Sequence, residues 1–137
     1  MPFTGPVEDR LAIRELNEIY ADAVNQHNAE DWASTWAEDS FWCLPHVPGM
    51  EKLSGKQTIV DAWVAAMKHY PDIVFLVLPG SIVVAGDQAT ARMYTAESYT
   101  DAEGIARRTH GQYDDILVKI DGRWAFKSRT FSVRYWV

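Results

Sequence analysis

The stretch Gly86-Asp87-Gln88-Ala89-Thr90-Ala91-Arg92-Met93-Tyr94-Thr95-Ala96-Glu97-Ser98-Tyr99-Thr100 opens on a turn and then alternates in residue class. Successive side chains of a strand point to opposite faces, so the alternation sorts these residues into two sets. Ala89, Ala91, Met93, Thr95, Glu97 and Tyr99 share one face, and Arg92, Tyr94 and Ser98 share the other. The first set is mainly small or apolar and is expected to face the interior, taking Glu97 with it. The same period of two runs outward from this segment. Strands are predicted over 73–84, 89–100, 106–120 and 123–136, parted by turns at Ala85-Gly86-Asp87-Gln88, Asp101-Ala102-Glu103-Gly104 and Asp121-Gly122. Four long strands joined by tight turns make an antiparallel meander.

Upstream the period changes to that of helices. Ile13, Leu16, Tyr20 and Ala23/Val24 recur every three or four residues after Pro6, with Glu8 and Asp9 in the first turn, which predicts a helix over 7–26. Asn28 is placed to cap a second, short helix carrying Trp32, Thr35 and Trp36 on one face. A short strand follows over 40–44, cut by Pro45 and Pro48-Gly49, and a third helix spans 56–70 until Pro71 stops it. The expected architecture is one α+β domain over residues 1–137, with three N-terminal helices packed on a strongly curved antiparallel sheet.

Composition narrows the function classes. Thirteen Lys and Arg against nineteen Asp and Glu give a net charge of −6, which disfavours nucleic acid and anionic membrane surfaces as partners. The longest apolar run, Ile73 to Leu78 and Ile82 to Ala85, is broken by Pro79-Gly80 and falls short of the ~18 residues a membrane span needs. Cys43 is the single cysteine, so neither an internal disulfide nor a multi-cysteine metal site is available. No secretory signal is visible in the N-terminal residues, and a cytoplasmic setting is expected. Gly-rich phosphate loops, a serine nucleophile elbow, and His-x-x-x-His or Cys-x-x-Cys spacings are all missing. No metal site is therefore expected.

Several strings point to a family. Arg14-Glu15-Leu16-x-x-x-Tyr20, Trp36-Ala37-Glu38-Asp39-Ser40-Phe41-Trp42, Gly86-Asp87-x-Ala89, Gly111-x-Tyr113-Asp114-Asp115 and Asp121-Gly122-Arg123-Trp124-x-Phe126-x-x-Arg129 occur in this order along nearly the whole chain. Together with the order of elements they make it resemble the SnoaL-like branch of the nuclear transport factor two-like superfamily, a cone-shaped α+β barrel. The resemblance to its scytalone dehydratase, bile-acid dehydratase and lindane dehydrochlorinase members implies chemistry inside the cone that uses no cofactor. Their pattern pairs a tyrosine late in helix one with an aspartate that orients a histidine on the first long strand. Tyr20 matches the tyrosine, while Asn25 and Val77 stand where the aspartate and histidine would be.

With that dyad missing, a proton acceptor has to come from elsewhere. Glu97, drawn into the interior, would be desolvated and shifted towards neutral pH, or it sits at the rim paired with an arginine. His46 shares a face with Trp42 and Leu44 and is either a replacement base or an exposed loop residue. His27, His69 and His110 are weaker candidates. Arg129 matches an arginine of dehydratase-like pockets and needs an acidic partner, Glu97 or Asp115, or an anionic ligand. Tyr20 and Tyr113 form an oxyanion-stabilising pair or are core tyrosines with satisfied hydroxyls. Trp42, Trp63, Met67, Phe75, Met93, Tyr113 and Phe131 are expected to line one deep pocket, with Asn25, Val77 and Thr95 in the same interior.

Two functions fit. The first is a lyase, dehydratase or isomerase acting by acid–base chemistry on a small hydrophobic, aromatic or polycyclic molecule. The second is a non-catalytic ligand-binding or assembly subunit resembling the small β subunit of ring-hydroxylating dioxygenases. In either case Trp124, Phe126, Tyr135 and Trp136 are expected on the outer face of the sheet, where they favour a homo-oligomer, dimer or trimer.

Overall fold

The computed structural model describes residues 1–137. In chain order the elements are β1 (Phe3–Thr4), α1 (Val7–Gln26), α2 (Ala29–Ser34), β2 (Trp36–Cys43), β3 (Leu53–Ser54), α3 (Lys56–Met67), β4 (Val74–Ala85), β5 (Gln88–Thr100), β6 (Ala106–Ile120) and β7 (Arg123–Trp136). α1 buries Ile13, Leu16, Asn17, Tyr20, Ala23 and Val24 along its core-facing side. It ends at His27, whose left-handed backbone (φ 53°) turns the N–H back onto the last helical carbonyls. Asn28 caps α2 as expected, its side-chain oxygen accepting from Asp31 N at 3.0 Å.

The strands β4 to β7 form the antiparallel meander, closed between β6 and β7 by Asp121 and Gly122, both at positive φ (51° and 77°), the geometry of a type I′ turn. Both sheet edges are extended by parallel pairs that sequence periodicity did not signal. The sheet order is β1-β4-β5-β6-β7-β2-β3, with β1 parallel to β4 and β2 parallel to β7. β2 starts at Trp36, earlier than residue 40, because Trp36 already sits opposite Phe126 before an irregularity carries the register to Phe41 and Ser128. α3 ends at Met67, earlier than Tyr70. Pro71 disfavours helical backbone at the residue before it, and the chain leaves the helix through two tight turns, His69 N to Ala66 O and Tyr70 N to Met67 O.

Register shifts at Pro79/Ser81, His110/Gly111 and Ile116/Leu117 add local twist and bend the sheet. It wraps round α1 and α3 as a cone, and the core fills its concave side. Trp124 and Phe126 belong to that core (7% and 0% exposed), which corrects their expected place on the outer face. Trp136 is exposed but pairs with the inward-facing Thr109, so it too departs from the expected outer face, and Tyr135, opposite His110, is the one of the four that lies outside. The convex face also exposes Leu76, Leu78 and Ile116. No helix is long and apolar enough to cross a membrane.

Candidate active site

A cavity of about 210 Å³ opens between the helices and the concave side of the sheet. Tyr20 and Val24 of α1, Trp63, Ala66 and Met67 of α3, and Phe75, Tyr113 and Phe131 of the sheet form its apolar walls. Trp42 and Leu44 with His46, Val47 and Met50 of the following loop close another side, and Tyr70, Ile73, Glu97 and Tyr99 complete it. Among these side chains only Glu97 and His46 carry an ionisable group other than a phenol.

At the base of the cavity the two phenols meet. The hydroxyls of Tyr20 and Tyr113 lie 3.2 Å apart, and the indole N–H of Trp42 donates to Tyr113 Oη at 3.1 Å. One hydroxyl donates to the other, so whichever way that bond runs, one phenolic hydrogen remains for a ligand. Burial raises both phenol pKa values, so each is a neutral donor near neutral pH.

Arg129 does not reach this cavity, which corrects its expected contact with substrate. It is fully buried beneath the phenols, its guanidinium carbon 3.9 Å from the Tyr113 ring centre, 4.5 Å from that of Tyr20 and 4.0 Å from that of Phe126. Nε and Nη2 bind both carboxylate oxygens of Asp115 at 2.8 and 3.1 Å, and Nη2 also donates to Asn17 Oδ1 at 2.9 Å. Asp115 is the partner the arginine required, and Glu97 is not. Arg129 acts on the site through its charge, which opposes the effect of burial on both phenols and favours negative charge on their oxygens.

Four other expected pocket residues lie outside the lining. Asn25 spends its amide on the backbone, donating to Phe75 O (2.9 Å) and accepting from Phe75 N (2.6 Å), and so ties α1 to β4. Val77 is only partly buried and lies off the cavity, two residues along β4 from Phe75, which does line it. Met93 and Thr95 have the predicted inward face but are buried in the core at 1% and 4% exposure. Over Gly111, the strand partner of Thr95, lies the Phe131 ring, where a Cβ would collide with ring carbons Cζ and Cε1. Gly111→Ala is therefore expected to push Phe131 into the cavity and cost about 1–3 kcal/mol of stability. Urea denaturation checks it, and an unchanged midpoint would show that the ring moves aside freely.

Glu97 sits where alternation placed it, partly buried on the concave face, opposite Phe75 on β4 and Thr109 on β6. Burial alone pushes its carboxyl up to about 7, because no hydrogen-bond donor or cation offsets the desolvation. His46 stands on the exposed loop after β2 with its ring 5.5 Å from that of Phe131, and partial burial holds its pKa below the ordinary value. Both candidate bases thus face one cavity. Sequence reasoning missed Val47 and Met50, which lie in the loop after β2 where no periodicity operates, Tyr70 and Ile73, which the predicted helix and strand include but which lie in the connection from α3 to β4, and Ala66 on α3. Tyr99 was readable from its alternation with Glu97. No three of the His, Cys, Asp and Glu side chains come together as a metal-ligand set.

The fold is shared with solved structures of low sequence identity. A candidate scytalone dehydratase from Novosphingobium aromaticivorans superposes with a TM-score of 0.85 at 20% identity, covering 96% of this chain and 87% of that one. The hexachlorocyclohexane dehydrochlorinase LinA-type3 from Novosphingobium barchaimii gives 0.82 at 18% identity, over 96% and 90%. A candidate aromatic ring hydroxylase from Novosphingobium aromaticivorans gives 0.87 at 21% identity, over 98% and 95%. No curated protein matches the sequence. The SnoaL-like domain family matches residues 6–130, nearly the full length of the cone, and the chain belongs to that family.

Proposed function

We propose that the protein is a cofactor-independent lyase or isomerase that removes a proton from a small, neutral, ring-bearing substrate. The observation that carries this is Glu97, an unpaired carboxyl with a pKa of about 7, in one apolar cavity with a phenol pair that always has a hydrogen to donate. Glu97 takes the proton from carbon, and the electrons move towards a conjugated carbonyl whose oxygen accepts the free phenolic hydrogen bond. Arg129 beneath the phenols stabilises the charge gathering there. The protonated Glu97 then returns the proton to a leaving hydroxyl, giving elimination, or to another carbon, giving isomerisation.

Cavity size limits the substrate. An apolar cavity of ~150 Å³ holds benzene, so about 210 Å³ has room for one or two rings inside the cone. Along β5, Glu97 lies four residues from Met93, the partner of Tyr113, a backbone separation of roughly 13 Å at strand rise. The labile hydrogen and the carbonyl therefore belong on opposite sides of a ring. A second copy of the chain is the occupant this reading assigns to the exposed convex face with Leu76, Leu78 and Ile116.

A binding-only subunit is the alternative, favoured by Asn25 and Val77 at the dyad positions and by the use of Asn25 to hold β4. The pH dependence of kcat/KM tests the enzyme reading. A deprotonated base is required, so the rate is expected to rise with pH through about 7 and then level. A limb below the ordinary histidine value would assign the base to His46 instead. No turnover on any cyclic ketone or alcohol that binds would favour the binding subunit.

A further inference from the structure

At the mouth of the cavity β5 and β6 set four side chains at the corners of one square on the concave face. Glu97 lies opposite Thr109, and Tyr99 lies opposite Arg107. Diagonal neighbours on an antiparallel pair are ~7–8 Å apart, within reach of a long side chain, so Arg107 is the cation placed to pair with Glu97. It is turned the other way. Arg107 Nε donates to Asp101 Oδ2 at 2.9 Å, and its guanidinium carbon lies 4.9 Å from the Trp136 ring centre. Tyr99 takes the opposite diagonal, its hydroxyl 3.4 Å from Thr109 Oγ1, and Tyr70 packs edge-on against it at 5.2 Å.

Asp101 has its two oxygens on separate tasks. Oδ1 accepts from the backbone N–H of Glu103 and of Ile105, both at 2.9 Å, which shapes the β5–β6 turn; Oδ2 is left for Arg107. We propose that Asp101 and Trp136 are positioning residues that hold the Arg107 guanidinium away from Glu97, so that the pocket carboxyl stays unpaired and able to take a substrate proton. The functional meaning rests on the reading of Glu97 as the base. A cation within ~4–6 Å favours the charged carboxylate and makes it a weaker proton acceptor. No other group facing this end supplies one. Tyr70 follows α3, Tyr99 lies on β5, and Tyr20 and Tyr113 are deeper neutral phenols. β4 presents Phe75, the Asp72 carboxylate before it is bonded to Thr100, and His46 across the cavity is held towards its neutral form by burial.

The test reads the Glu97 carboxyl directly, by carbon NMR titration of the full chain labelled at glutamate, with Glu97→Gln to assign the signal. Asp101→Asn keeps an oxygen for the turn and removes the charge that holds Arg107. Its Glu97 midpoint is expected to fall by at least about one pH unit, and Asp101→Asn with Arg107→Gln is expected to restore it. An unmoved midpoint in Asp101→Asn, or an equal fall in the double variant, overturns the proposal. Should Asp101→Asn lose its fold, Trp136→Ala carries the same test, with a smaller fall reversed by Arg107→Gln; no fall overturns it. Turnover of Glu97→Gln, measured separately, decides the base assignment, so full activity there with the expected shifts would leave the clamp standing and remove its catalytic meaning.

Discussion

Replacing Glu97 by Gln is expected to lower turnover by about 10²–10⁴-fold, the usual effect of removing a positioned general base. Gln keeps the size of the side chain and places no charge in the pocket, so ligand affinity is expected to stay near that of the native chain. The same substitution should leave the fold more stable in alkaline solution. Glu97 titrates near 7 in the folded chain against an ordinary 4.5, so the folded state holds its proton more tightly than the unfolded one. That contribution is fully present below about 4.5 and is lost as pH rises through about 7. Above that, the native chain carries a desolvated carboxylate that the Gln variant lacks. Thermal midpoints of the two chains should agree near pH 4 and diverge above pH 7 with the variant higher. His46→Gln, by contrast, should retain most of the rate. Near-native rates in both variants would rule out Glu97 and His46 as the base and sink this acid–base mechanism.

The fold was legible wherever structure is local. Alternation from Ala89 to Tyr99 placed the β5 side chains on the correct faces, and the turn residues located the meander, because both signals act over two to four neighbouring residues. The parallel pairing of β2 with β7 joins segments more than eighty residues apart and leaves no local trace. The site shows a different limit. Periodicity reports the face of a strand but not the depth along it. Arg129 and Phe131 share a face on β7, yet Phe131 lines the cavity and Arg129 lies in the layer beneath it. Met93 and Thr95 share a face with Glu97 and are likewise in the packed core. Depth is set by how the rings of Tyr20, Tyr113 and Phe131 stack against one another, which depends on three elements at once.

The ion pair in that lower layer is the other place where a single change should have a large effect. Asp115 and Arg129 are almost wholly excluded from water, at 0% and 1% side-chain exposure, and Asn17 is the remaining polar partner. Asp115→Asn leaves the Arg129 charge buried and uncompensated, and is expected to cost about 3–5 kcal/mol. Urea denaturation with an unchanged slope would show this, and a loss under 1 kcal/mol would mean that the guanidinium finds water or another anion. Burial opposes the charge on Asp115 and Arg129 pulls against that effect, so neither member is stable without the other. Removing both is a different matter. Apolar side chains of similar volume often replace a buried pair at no net cost, so Asp115→Leu with Arg129→Met should recover most of the stability. Turnover should not recover with it. The phenols would keep their hydrogen bond but lose the cation that lies 3.9 and 4.5 Å from their rings. Stability regained with activity still depressed would mark Arg129 as an electrostatic support of the donor pair. Recovery of both would reduce it to packing.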